Sequence, residues 1–495
     1  MKYTVFLLAL LLLVGCQESA TKQSDLTPYI PRKAAVIIKV NNWEDFSNAL
    51  INNALLKEFN STNLSKTLKS KASLLNKLKP NSEVLLSFVS LGKNEYDFSL
   101  ITEQHKNLFP VDSIALSKTI QTDYNGSIIN ATTVDNDSLY YMNTNSKFIA
   151  STSRMLLENN IRQQNAEADI EDSSFVRVFK TSDNSAMANV YFKGKEAVGL
   201  YKNILGKGQP ANFSNTFDWA AFDIDLGVSN VSLNGILTYD KSQKNKLSLL
   251  EKTSPTQSKI ANILPLDARA AISFGYKNWD NYIKNLAKMR QIPPHDFSLK
   301  FDALYSNCDE ISSILMDNAE IAVMHSTDRE ITNEALLSQS TEIEVFRDIP
   351  LKKFDDSLAL KKDFKELLNL SVVNVYCQID DYLIFGQNTA ILKTVIANYQ
   401  NNAVLGKSEN YTSIAQKLSD EQSLYIIGNV QKIQSYLSEN ANKDAQKEIK
   451  EIDLIEYPFA ILQLVAADNF LHFNAIIERN TLKPESGAVS QIASV

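Results

Sequence analysis

The amino-acid sequence predicts an α+β fold built as two similar lobes from an internal duplication, each with a mainly antiparallel sheet and amphipathic helices. Three observations predict it. Trp219 to Leu237, reading WAAFDIDLGVSNVSLNGIL, matches Phe459 to Ile477, reading FAILQLVAADNFLHFNAII, without a gap and at a constant offset of 240 positions. In both copies apolar residues alternate as a half-buried strand requires, at Phe222, Ile224 and Leu226 and at Leu462, Leu464 and Ala466. Second arms follow, with Val231, Leu233 and Leu237 against Leu471, Phe473 and Ile477, so each copy reads as an antiparallel hairpin closing a repeat. Strands and helices also mix without the strict βαβ alternation of a parallel, doubly wound sheet. Repeats of about 220 residues are too long for a solenoid, whose units run roughly 20 to 50 residues, and imply two lobes about a pseudo-twofold axis.

Length and composition agree with two cores: 495 residues exceed what one hydrophobic core serves, and 44% are apolar. The net charge is −7, with no Lys/Arg cluster beside exposed aromatics, which excludes nucleic acid as an expected partner. Only 14 Gly occur, against a scaffold rich in phosphate-cradling loops.

The chain begins with a targeting segment. Lys2 supplies a positive start, and Val5 to Val14 form an apolar run too short to span a bilayer, so residues 1–15 read as a signal peptide. Leu13-Val14-Gly15-Cys16 resembles the lipobox of bacterial lipoproteins, in which small residues precede a Cys that is acylated and becomes the new N-terminus. The resemblance implies lipid attachment (diacylglycerol and palmitate) at Cys16 and a membrane-anchored protein of the cell envelope; each buried methylene adds about 0.8 kcal/mol of anchoring. Residues 16–27 are polar and read as a flexible tether. No Asp follows Cys16, which under enterobacterial sorting favours the outer membrane, and a lone Glu18 is a poor match to the acidic cluster of surface-exposed lipoproteins, which favours the periplasmic face.

Lobe one spans 28–240. It opens with Ile30-Pro31, a strand from Ala34 to Val40 and one amphipathic helix in which Trp43, Phe46, Leu50, Ala54, Leu55 and Phe59 recur at helical spacing. Lobe two, 260–482, repeats the phrase with Leu264-Pro265, a strand from Ala270 to Phe274 and Trp279 to Leu286. Strands are expected next at Glu83 to Ser90 and Tyr96 to Ile101, with Glu320 to His325 and Glu342 to Phe346 as their counterparts. Asp112-Ser113-Ile114 mirrors Asp356-Ser357-Leu358, each Asp placed to cap a helix. Strands Ser127 to Thr133 and Ser371 to Cys377 follow, then Phe148-Ile149 and Leu383-Ile384, then helices from Ser153 and from Asn388. Short helices near Phe175 to Phe179 and Ile414 to Leu418, strands Ala186 to Phe192 and Ser423 to Gly428, and the closing hairpins complete the lobes. Residues 241–259, rich in Lys, Ser and Thr, read as an exposed linker, and 483–495 as a tail without periodicity.

Candidate chemistry is sparse. His105, His295, His325 and His472 form no HExxH or other zinc-ligand spacing, and G-x-S-x-G, the P-loop and G-x-G-x-x-G do not occur, so no catalytic residue, metal or cofactor is expected. His472 stands where Ser232 stands in the other copy and reads as a solvent-facing strand residue. Trp43 and Trp279 hold the same place in the two copies and Trp219 is matched by Phe459, which favours core packing over a sugar platform. An oxidising envelope permits a Cys308–Cys377 disulfide, two buried thiols being the alternative. Ser113, Ser138 and Ser357 each follow Asp and precede an aliphatic residue, a pattern that resembles the O-glycosylation signal of exported Bacteroidota proteins; helix capping is the competing explanation.

The whole layout resembles uncharacterised two-repeat envelope lipoproteins of Bacteroidota. From it we expect a non-catalytic, lipid-anchored scaffold or binding partner among envelope proteins. A carrier for a lipid or glycan held between the lobes is the alternative, and a hydrolase without a recognisable motif a further one; no small-molecule ligand can be named.

Overall fold

The computed structural model describes residues 26–62, 66, 78–92, 95–108, 119–134, 137–166, 173–196, 217–239, 245–339, 341–440 and 443–480. The signal peptide, Cys16, Ser113 and the tail 483–495 lie outside them, as does the tether apart from Leu26 and Thr27.

The first half carries strands β1 (Ala34–Val40), β2 (Val84–Gly92), β3 (Glu95–Glu103), β4 (Ile120–Tyr124), β5 (Ser127–Val134), β6 (Asp137–Thr144), β7 (Lys147–Ser151), β8 (Ala188–Lys193), β9 (Trp219–Leu226) and β10 (Asn230–Leu237). Side by side they run β4-β5-β6-β7-β3-β2-β1-β8-β9-β10, every pair antiparallel. The second half carries β11 (Ala270–Gly275), β12 (Cys308–Leu315), β13 (Glu320–Ser326), β14 (Glu342–Phe346), β15 (Ile349–Lys353), β16 (Val375–Ile379), β17 (Tyr382–Gly386), β18 (Leu424–Asn429), β19 (Phe459–Ala466) and β20 (Leu471–Glu478). Their order is β14-β15-β16-β17-β13-β12-β11-β18-β19-β20, again antiparallel throughout. Strands β10 and β20 then pair with each other, making one continuous twenty-stranded sheet. The fold class is α+β.

Helices cover both faces. In the first half these are α1 (Trp43–Asn52), α2 (Ala54–Glu58), α3 (Arg154–Asn165) and α4 (Ser173–Lys180). In the second they are α5 (Trp279–Arg290), α6 (Asp302–Tyr305), α7 (Arg329–Ala335), α8 (Ala359–Phe364), α9 (Thr389–Gln400), α10 (Glu409–Ala415), α11 (Val430–Asn440) and α12 (Lys443–Glu451). Because successive strand residues point to opposite faces, Leu86 packs with Phe46 of α1 while Leu85 packs with Leu157 and Ile161 of α3. In the second half Phe274 lies with Trp279 and Tyr282 of α5, and Ala271 with Leu392, Val395 and Ile396 of α9. Asn caps start α1, α5 and α9: Asn42 accepts from Asp45 N at 3.1 Å, Asn278 from Asn281 N at 3.1 Å, and Asn388 from Ile391 N at 3.2 Å. Among the described residues no helix is long and apolar enough to cross a membrane.

Several expectations need correction. The single helix expected from Trp43 through Phe59 breaks at Asn53, whose extended backbone ends α1 and caps α2. The stretch expected to be an exposed linker packs inward: Leu247, Leu249 and Leu250 are buried against Phe274 and Trp279, and Thr256 bridges to Gln422. The strand beside β11 is Cys308–Leu315, which was not anticipated, so Glu320–His325 takes the place of β3 and not β2, and Glu342–Phe346 takes the edge place of β4 and not that of β3. Likewise Cys377 lies on β16, two places from the edge as β6 is, and does not answer to Thr133 on β5. Asp356 caps nothing with its side chain, which binds Lys300 Nζ at 2.9 Å, and α8 starts after Leu358. The short helix expected at Ile414 to Leu418 is centred earlier, and α11 and α12 between β18 and β19 were not anticipated.

Candidate functional site

The join between β10 and β20 organises the middle of the molecule. Its register places Asn234 opposite Asn474, Val231 opposite Ile477 and Leu237 opposite Leu471. Asn234 and Asn474 are also the residues matched by the 240-position offset, so the pairing reads the same from either hairpin. On one face Gly235 lies between Phe222 of β9 and Phe473 of β20, and the two rings meet over it with centroids 4.5 Å apart. A Cβ at Gly235 would stand 1.9 Å from the Ala221 carbonyl oxygen, so only glycine lets β9 and its aromatic approach this closely. The core here is shared: Ala220, Phe222, Leu237 and Tyr239 of the first half pack with Phe274, Trp279, Leu464 and Phe473 of the second. The two hairpins are hydrogen-bonded edge to edge.

The opposite face of the join is polar. A row of laterally paired residues runs Lys39, Asn189, Asp223, Asn234, Asn474, Gln463, Tyr425, Ser273 and Ser312 across eight strand contacts. Asn189 Nδ2 donates to Asp223 Oδ1 at 2.7 Å and Asn474 Nδ2 to Gln463 Oε1 at 3.0 Å. Burial raises the Asp223 carboxyl above its ordinary value, while the Asn189 amide and the nearby Lys39 act to lower it. Burial lowers the Lys39 ammonium, partly offset by Glu83 at 3.7 Å.

At one end of the join, both halves contribute to an exposed aliphatic surface. Asn53 Nδ2 donates to the carbonyls of Gly227 and Asn230 at 2.7 and 2.9 Å, and Ala54 N to that of Val228 at 2.8 Å, which fixes the end of α1 against the β9–β10 turn. Arg479 N donates to Ser229 O and pairs through its guanidinium with Glu456, bringing the segment before β19 to the same turn. Beneath lies a satellite core of Leu55, Val430 and Tyr457, joined by Val231, Leu454 and Ile477. Above it Leu50, Ile51, Val228 and Ile455 are 41, 67, 74 and 71% exposed. Isolated surface aliphatics are ordinary; these four lie on segments that the Asn53 and Arg479 contacts bring to the β9–β10 turn.

The residues singled out from sequence do not converge. Cys308 and Cys377 are free thiols buried in clusters on opposite faces of the sheet, which removes the geometry a bond between them requires. Burial pushes the Cys377 thiol up to about 12, so it is held as an unreactive thiol. Ser138 is exposed on β6, and Ser357 is half-buried with its carbonyl accepting from Val373 N. His325 Nδ1 and Asp309 Oδ1 lie 2.7 Å apart, the His105 ring contacts Lys79 O at 3.0 Å, and His295 and His472 are exposed. Trp219 and Trp279 are buried, the latter donating to Asp302 at 2.7 Å, and Trp43 packs on the core beneath α1. Among the described residues no group of three or more His, Cys, Asp and Glu could hold a metal ion. The aliphatic surface was not legible, because its members are scattered from Leu50 to Ile455 and Leu50, expected on the packed face of its helix, is exposed.

No family model matches the chain, and no curated protein matches it. Among solved structures, crystal form I of TP0453 is 10% identical with a TM-score of 0.27, covering 45% of this chain and 81% of that one. Crystal form III of TP0453 is 9% identical with a TM-score of 0.28, covering 47% and 89%. Likeness at this level carries no argument about fold or function.

Proposed function

We propose that this chain is a non-catalytic, lipid-anchored protein of the cell envelope, held through Cys16 in the outer membrane facing the periplasm, that serves as a scaffold or binding partner in an envelope assembly. The leader and its lipobox-like end support the location. The observation that carries the role is the exposed surface of Leu50, Ile51, Val228 and Ile455, an area suited to burial against a protein partner. We further infer that the chain arose by duplication, with residues 28–240 and 260–482 as the two copies. The hairpin match at one offset and the identical strand order in the two halves support that reading.

Two experiments test the proposal. Cys16→Ala should release the body from membranes or block processing, and normal membrane association of that variant would remove the anchor. A crosslinked pull-down from solubilised membranes, read by mass spectrometry for proteins and small molecules, should recover protein partners at stoichiometric yield. Val228→Asp with Ile455→Asp should lose them at unchanged thermal stability, since both side chains are already in water. A lipid or glycan co-purifying with no protein partner would overturn the scaffold reading in favour of a carrier.

A further inference from the structure

The two halves treat the carboxylate at one matched place in the sheet differently. In the first, Lys39 of β1 stands opposite Leu85 of β2, and Glu83, two residues before Leu85, lies 3.7 Å from the Lys39 ammonium. In the second, Ser273 of β11 stands opposite Ser312 of β12, and Glu310, two residues before Ser312, occupies the matching place with a serine where the first half has lysine. Glu310 is fully buried, and among the described residues no Lys or Arg forms an ion pair with it. Its carboxyl accepts from Ser258 Oγ at 2.5 Å, from Lys259 N at 2.7 Å and from Ser273 Oγ. Two of these donors belong to the segment that leads from the first half into the second.

We propose that Glu310 is a proton-dependent latch that seats the connecting segment around Ser258 and Lys259 on the sheet when protonated and loosens it when ionised. Both states can be hydrogen-bonded. The Ser273 hydroxyl lies 2.6 Å from Ser312 Oγ, so it can turn to donate to Ser312 and accept from a protonated Glu310, while Lys259 N still donates to the carboxyl's other oxygen. The states differ in charge: an ionised Glu310 is a buried anion without a counter-cation, and opening the segment hydrates it and gives its proton to solvent. The groups that face it do not neutralise it. Asp309 adds negative charge, His325 stands opposite Glu310 on β13 but turns its Nδ1 to Asp309 Oδ1, the Lys259 ammonium turns to Gln257 at 3.1 Å, and Tyr382, Tyr411 and Tyr425 present neutral phenols. Burial accordingly raises the Glu310 carboxyl above its ordinary value, with Ser258, Ser273 and Lys259 N acting to lower it. With the folded value above the unfolded one, the latch is fully held below the ordinary carboxyl range and loses hold as pH rises through the folded value.

Amide hydrogen exchange on the full chain tests this, with protection factors for residues 256–262 expressed relative to those of β17 to cancel global changes. In the wild type the ratio should fall about tenfold between pH 4.5 and 8, and in Glu310→Gln, a neutral mimic, it should stay level and match the wild-type value at pH 4.5. A wild-type ratio that does not change with pH overturns the latch whether or not the variant folds. So does a Glu310→Gln ratio that falls in parallel with the wild type, or that lies below it at every pH.

Discussion

Asn53 shows how one side chain couples distant parts of the chain. Its carbonyl oxygen caps α2 by accepting from Leu56 N at 2.9 Å, and its amide group donates to Gly227 and Asn230, the two ends of the β9–β10 turn. A buried amide with three good hydrogen bonds leaves unsatisfied carbonyls behind when it is removed. Asn53→Ala should therefore cost about 2 kcal/mol in chemical denaturation. Asn53→Asp keeps the cap but forfeits both donors, and should recover only a fraction; full recovery would show that the cap alone matters. The sequence around Asn53 shows a helix former's periodicity running straight through it, because the groups that stop the helix lie more than 170 residues away. The helix start at Asn388 was legible, since a cap acts within its own first turn.

At the scale of elements, alternation and cap residues made most strands legible, including both hairpins. What slipped was the correspondence between halves: the edge strand β14 and its neighbour β15 are five residues each, and a sheet covered on both faces blurs the alternation that would separate neighbours. The α11–α12 pair falls outside the segments that recur between the two halves of the sequence, so the repeat does not reveal it. The β9–β10–β20 contact depends on Gly235. Gly235→Ala drives a methyl group into the Ala221 carbonyl and should cost about 2 to 3 kcal/mol, whereas Ala475→Gly, across the join beside Leu233, should cost no more than about 1 kcal/mol. Equal losses measured by urea titration would mean that the close approach at Gly235 is not what sets the spacing.

For the molecule as a whole, the shared core has a thermodynamic consequence. With Phe222 and Leu237 of one half in the same cluster as Phe274 and Trp279 of the other, neither half can unfold without exposing the partner's side chains. Urea unfolding should give one transition, coincident by circular dichroism and tryptophan fluorescence; two separated transitions would describe independent domains. None of this joining was legible in the sequence. A constant offset reveals two similar hairpins but carries no information on whether they pair, since strand partners are chosen by exposed edges and not by likeness. The pairing about Asn234 and Asn474 is thus the central structural claim, because it creates both the shared core and the composite aliphatic surface. Oxidative crosslinking of paired cysteines in the full chain measures it directly. Opposed antiparallel residues have Cα atoms about 4.5 to 5.5 Å apart, within disulfide reach. Asn234→Cys with Asn474→Cys should crosslink nearly completely and Ser232→Cys with Asn474→Cys, two residues out of register, hardly at all; the reverse preference, or no crosslink in either, would contradict the account.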